Sequence, residues 1–166
     1  MKNKERQAHQ LRFSEGSYSR PIRSTKIQKV LTIRKIHIRD WQIAFYFSFD
    51  AFDKGIIKDA LLWADAPASI IRQASESVSS GNFNEGFCFS NPKLRRSVVA
   101  VSETISGPEF LNTTIHEIAH VAMHIAEEDG IDPYSEELAY LMGDISHDIS
   151  YVVCELSCPH CNSRHE

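Results

Sequence analysis

Long apolar runs are missing from this 166-residue chain. No stretch approaches the roughly 18 apolar residues that a membrane-spanning helix needs, and the N-terminus lacks the apolar core of a secretory leader. Together these absences predict a protein with no membrane partner that stays in the compartment where it is made. Cysteine is scarce too. Cys88 stands alone, and Cys154, Cys158 and Cys161 crowd the end, unlike the spread framework of a disulfide-stapled secreted domain. A reducing cytoplasm is the expected setting. Internal repeats and low-complexity segments are also absent.

What is present fits one compact domain with a real core, since 42% of the side chains are apolar and 24% charged. The formal net charge of −4 hides an asymmetry. Residues 1–29 carry eight Lys/Arg and two acids, leaving ten basic residues and twenty acids for the rest. A basic segment, residues 1–26 without apolar period, therefore precedes an acidic body and reads as a solvated tail. A nucleic-acid partner would rest on that tail alone and is not expected.

The domain proper is expected over residues 27–153, with 154–166 as a Cys/His-rich tail. Alternating apolar residues from Val30 to Ile38 and the aromatic, branched run from Trp41 to Phe49 predict two strands turned near Arg39-Asp40. Lys54 to Ser80 predicts two helices with a corner at Asp65-Ala66-Pro67. Phe87 to Phe89 and Ser97 to Ser102 read as short strands around the Ser90-Asn91-Pro92 turn. The next element is well punctuated: Ser106 and Glu109 have capping-box spacing, Pro108 sits near the first helical position, and Asp129-Gly130 supplies a stop. A helix from Pro108 to about Glu127 follows, with an expected core stripe of Leu111, Ile115, Ile118, Ala122 and Ile125. A final helix is predicted from Asp132-Pro133, Asp132 its cap, with Leu138, Leu141, Met142, Ile145, Ile149 and Val152 inward.

Within the capped helix lies His116-Glu117-Ile118-Ala119-His120. Two imidazoles four residues apart project from one helix face and can converge on one ion, with Glu117 the neighbouring carboxylate. The histidines point away from the predicted stripe, which faces them toward a cleft. Those five letters also arise by chance as surface residues on a helix. Their place on the polar face of a capped amphipathic helix, followed by an acidic helix, favours a metal.

Catalytic zinc takes three protein ligands and keeps a position for water. Glu136 and Glu137 open the last helix, which can fold back antiparallel after a short turn. Glu136 shares a face with Tyr140, Gly143 and His147 and is the preferred ligand; Glu137 is its rival, and either could simply balance the helix dipole. Asp144 and His147 are lesser candidates. His124 reads as a surface or supporting residue, and Tyr140 as a buried aromatic before an oxyanion donor. In a catalytic site the metal polarises a carbonyl and activates water while Glu117 shuttles the proton. The strand Ser97 to Ser102 could offer an edge to an extended peptide substrate.

From the H-E-I-A-H string and the following Glu136-Glu137-Leu138-Ala139-Tyr140, the chain resembles the gluzincin branch of zincin metallopeptidases, and most of all the small minimal zincins of phages and mobile elements. The resemblance runs from about Asp50 to His147, and only the two motifs are specific. It implies one catalytic Zn2+ held by His116, His120 and Glu136, with Glu117 as general acid/base, and it supplies no substrate. The third histidine of metzincins, beyond a Gly after the motif, has no counterpart.

Cys154, Cys158 and Cys161 with His160 and His165 carry knuckle-like spacing for a second zinc, although a flexible end is the expected reading. A redox role is disfavoured, because Cys158-Pro159-His160-Cys161 follows a helix rather than opening one. Cys88, between two phenylalanines, reads as a core residue. The expected fold is mixed α/β: a small twisted sheet with packed helices, the metal helix and its antiparallel ligand helix walling a cleft. The leading function is a zinc-dependent peptidase acting on a peptide or protein. Its competitor is a non-catalytic, metal-stabilised binding protein.

Overall fold

The computed structural model describes residues 31–50, 53–80, 86–102, 104 and 106–157. The basic segment 1–26 and residues 158–166, with Cys158, His160, Cys161 and His165, lie outside them. Element order is β1 (Thr32–Ile38), β2 (Trp41–Phe49), α1 (Lys54–Trp63), α2 (Ala68–Ser80), β3 (Gly86–Asn91), β4 (Arg96–Ser102), α3 (Gly107–Asp129) and α4 (Glu136–Ser157). The expected α/β fold is present, as a four-stranded mixed sheet in the order β1-β2-β4-β3. β1 and β2 form the expected hairpin, Ile38 opposite Trp41, turned at Arg39 with φ 54°. β2 and β4 run parallel, and β3 is antiparallel to β4.

Strand alternation sorts the core into two layers. Ile43, Phe45 and Phe47 of β2, with Val99 and Val101 of β4, pack against α3 and α4. Ala44 and Tyr46, with Val98 and Ala100, face α1 and α2. The alternation slips once. Ser48 has φ 58°, the pairing register shifts between Phe47 and Phe49, and Phe49 consequently joins the α1/α2 side, as a bulge requires. On β3 the same rule places Cys88 toward α3 and Phe87 and Phe89 toward α1 and α2.

β4 is paired on both sides, so Ser97 to Ser102 is not the docking edge expected of it. The return of β3 through the Pro92 turn covers β4, and β3 becomes the terminal strand.

α3 is punctuated as predicted. Ser106, extended at φ −150° and ψ 153°, accepts a hydrogen bond from the Glu109 amide at 3.3 Å, and Gly130 ends the helix at φ 69°. Its buried face differs from the expected stripe. Ile118, Ala122 and Ile125 are inside, but Leu111 and Ile115 are 45% and 49% exposed, and Phe110, Thr113, Thr114, Glu117 and Val121 take the inner positions. The helix packs on both the sheet and α4, and the side of it that meets β3 includes Glu117.

α4 begins at Glu136, later than predicted, because Asp132 accepts from the Tyr134 amide at 2.9 Å and makes a turn instead of a cap. It continues through Cys154 to Ser157, with Val153 buried and Val152 partly so, which puts residue 153 inside a helix rather than at a boundary. A Cβ added to Gly107 would meet the Ser157 carbonyl. The start of α3 therefore touches the end of α4, and the pair is an antiparallel hairpin. Among the described residues no helix is long and apolar enough to cross a membrane.

Candidate metal site

The four-residue spacing on α3 brings the imidazoles of His116 and His120 together, ring centroids 4.6 Å apart and planes at 81°. Their Nε2 atoms lie 3.0 Å apart. Two imidazole nitrogens on one tetrahedral zinc, each bonded at about 2.0–2.1 Å, stand about 3.3 Å from one another, so the pair suits a shared ion after a shift of a few tenths of an ångström.

Glu117 faces inward from α3 and is 4% exposed. Its Oε2 is buried with no hydrogen-bond partner in the protein. A carboxylate in that position loses hydration without compensation. Burial accordingly raises its pKa, partly opposed by the neighbouring His116. The carboxylate lies beside strand β3: a Cβ built on Gly86 would sit 3.0 Å from Glu117 Oε1 and Cγ.

The next histidine along α3 is also held by β3. Ser90 Oγ is 2.9 Å from His124 Nδ1 and 2.8 Å from Ser97 Oγ, and Cys88 Sγ lies 3.8 Å from the same nitrogen. Burial first, and the facing His120 second, lower the His124 pKa. These contacts hold its ring against β3, beside the histidine pair. Burial pushes the Cys88 thiol up to about 12, which leaves it a core thiol without thiolate character near neutral pH.

The structure does not bring the carboxylates of α4 to the histidines. Glu136 is exposed on the first turn of α4. Because the hairpin turn lies nine residues past His120, it is about 14 Å farther along α3 at 1.5 Å per residue, beyond the reach of a glutamate side chain. Glu137 is engaged elsewhere, its Oε1 2.6 Å from Arg39 Nη2 at the β1–β2 turn. Asp144 and His147 line a separate groove of about 310 Å³ with His37, Arg39, Glu137 and Asp148. Tyr140 stands in that groove 70% exposed, not buried as expected. Cys154 is exposed on α4. Among the described residues no three His, Cys, Asp or Glu side chains are grouped as a metal would require. Two nitrogen donors and an adjacent buried carboxylate thus suit zinc, and among the described residues no third donor is grouped with them.

Sequence reasoning missed Gly86 and Ser90 as neighbours of the motif. The alternation of Gly86, Cys88 and Ser90 on one face was visible in principle, but which helix that face meets depends on the strand order. No family model matches the chain, and no curated protein or solved structure matches it either.

Proposed function

We propose that this protein is a metal-dependent peptidase, a small zincin of the gluzincin type like those of phages and mobile elements, working in the cytoplasm. The observation that carries the reading is a convergent histidine pair next to a buried carboxylate whose Oε2 has no protein partner. In a folded protein such an atom costs about 1–3 kcal/mol, and a catalytic role accounts for keeping it.

His116 and His120 would hold zinc through Nε2. Zinc there would polarise the scissile carbonyl and make the attacking water more acidic. Glu117 Oε2 takes a proton from that water as its oxygen bonds to the carbonyl carbon. The carboxyl then returns the proton to the amide nitrogen as the C–N bond breaks, so that a carboxylic acid and an amine leave and Glu117 is restored. The substrate in this reading is an extended peptide laid along terminal strand β3, which borders Glu117.

A second reading is a non-catalytic, metal-stabilised binding protein, which would need four protein donors and leave no position for water; among the described residues it too finds only the His116–His120 pair. Elemental analysis separates the two when run on wild type, His116→Ala, His120→Ala, Glu136→Ala, Glu137→Ala and a truncation after Ser157, which leaves α4 whole. The proposal expects about one zinc per chain, lost with either histidine, together with hydrolysis of a peptide library that Glu117→Gln abolishes. Zinc lost on truncation after Ser157 would place the third ligand beyond that residue, and zinc lost in Glu136→Ala or Glu137→Ala would mean that the start of α4 moves to the histidines when the metal binds. Zinc without hydrolysis would favour the binding protein. Zinc that survives His116→Ala would sink both.

A further inference from the structure

We propose that Gly86 is the positioning residue for Glu117, seating its side chain against terminal strand β3 so that the strand and the acid/base carboxylate share one register. This deepens the peptidase reading and rests on it for its catalytic consequence.

On β3 the residues facing α3 are Gly86, Cys88 and Ser90. Cys88 and Ser90 meet His124, and the first position of the row meets Glu117. A Cβ there would fall 3.0 Å from both Glu117 Cγ and Oε1 and 2.9 Å from the Ala100 carbonyl oxygen. The latter is backbone of the inner strand and cannot retreat, because β4 is paired on both sides. The former belongs to a side chain whose helix is anchored by Ile118, Val121 and Ile125, so the Glu117 side chain would have to give way within its own space. Any side chain at residue 86 therefore presses on the carboxylate. No special backbone conformation at residue 86 explains a glycine there; the space taken by the Ala100 carbonyl oxygen and by Glu117 does.

A misplacement of about 1 Å can lower a rate by about 100-fold, and the smaller shift that a Cβ at residue 86 asks of Glu117 should lower it by less. Gly86 touches no reacting atom in this account and acts only by placing one that does.

The test is a double-mutant cycle on the full-length, zinc-loaded chain: Gly86→Ala and Glu117→Ala singly and together, read by thermal unfolding, zinc content and steady-state peptide hydrolysis. Gly86→Ala should keep its zinc and its KM while kcat falls, by less than the roughly 100-fold that a misplacement of about 1 Å would cost; mere loosening of the sheet would not produce that split. Gly86→Ala should also lower Tm by several degrees less when Glu117→Ala has vacated the space than when Glu117 is present. An equal Tm loss in both backgrounds would mean that Ala100 alone requires the glycine, and would overturn the proposal. If Gly86→Ala does not fold by itself, recovery of the fold in the double variant supports the seat, and failure of both to fold rejects it. Absence of zinc and hydrolysis from the wild type would reject the peptidase reading, while the Tm comparison still decides whether Gly86 seats Glu117.

Discussion

The two places where α3 meets β-structure handle charge in opposite ways. At the hairpin end, two arginines are paired with three acids. Arg95 Nη1 reaches Asp129 Oδ1 at 2.7 Å and Asp40 Oδ1 at 2.9 Å, and Arg39 binds Glu137 at 2.6 Å and lies 3.6 Å from Asp129. Both arginines occupy turn positions with positive φ, 54° for Arg39 and 48° for Arg95, so the network ties the two β-turns to the start of the α3–α4 turn. Along the seam with β3, by contrast, Glu117 is buried with an unpartnered oxygen and His124 has its proton affinity reduced. Paired surface charges contribute little each and place elements. An unpaired buried carboxylate opposes folding and calls for a functional reason.

The largest effects should come from the seam. Glu117→Ala is expected to lower kcat by about 100- to 10,000-fold with zinc retained, measured by steady-state hydrolysis beside elemental analysis. Loss of zinc in that variant would turn Glu117 into a ligand and erase the contrast. Next comes thiol reactivity. With its thiol near 12, Cys88 holds about one part in ten thousand as thiolate at pH 8. Iodoacetamide followed by peptide mass spectrometry should therefore label exposed Cys154 faster by about a thousandfold, and comparable rates would mean that the seam opens in solution.

A smaller effect concerns stability in the metal-free protein. The Glu117 pKa is raised on folding, so the native state holds its proton more tightly than the unfolded chain. Its contribution is stabilising below the unfolded value of about 4.3 and is lost as pH rises through the folded value. Glu117→Gln, which cannot ionise, should therefore unfold at about the wild-type temperature near pH 4 and become the more stable of the two as pH rises to about 7. A Tm difference that did not grow with pH would show the carboxylate to be well solvated. The smallest effect belongs to the paired end. Asp129→Asn should lower Tm by only a few degrees, about 2–4 °C, and by less at 1 M salt; a larger, salt-independent loss would make this network as critical as the core.

Much of the architecture was legible because local rules agreed with one another. The Ser106 cap, the Gly130 stop, the Pro67 corner and the alternation in β1 and β2 each depend on a few adjacent residues, and tertiary contacts left them in place. The inner stripe of α3 was only partly legible. Leu111 and Ile115 satisfy the helical period as well as Phe110 and Val121 do, and periodicity has no means of choosing between stripes a residue apart. Glu136 was overread for a related reason: its spacing in sequence allowed a ligand, whereas the length of α3 past His120 puts it out of reach. Cys88 as a core thiol, and His124 in support, followed from composition and spacing and agree with their surroundings.

The sequence by itself determined the elements, the ends of α3 and the pairing of His116 with His120, since each is settled within one or two helical turns by hydrogen bonding and side-chain spacing. Only the tertiary structure decided that β3, like β1, is a terminal strand and β4 is not, that α3 turns Glu117 inward, and that Gly86 leaves the space it occupies. Those outcomes depend on strand order and on two supports pressing one helix, and no local pattern carries that information.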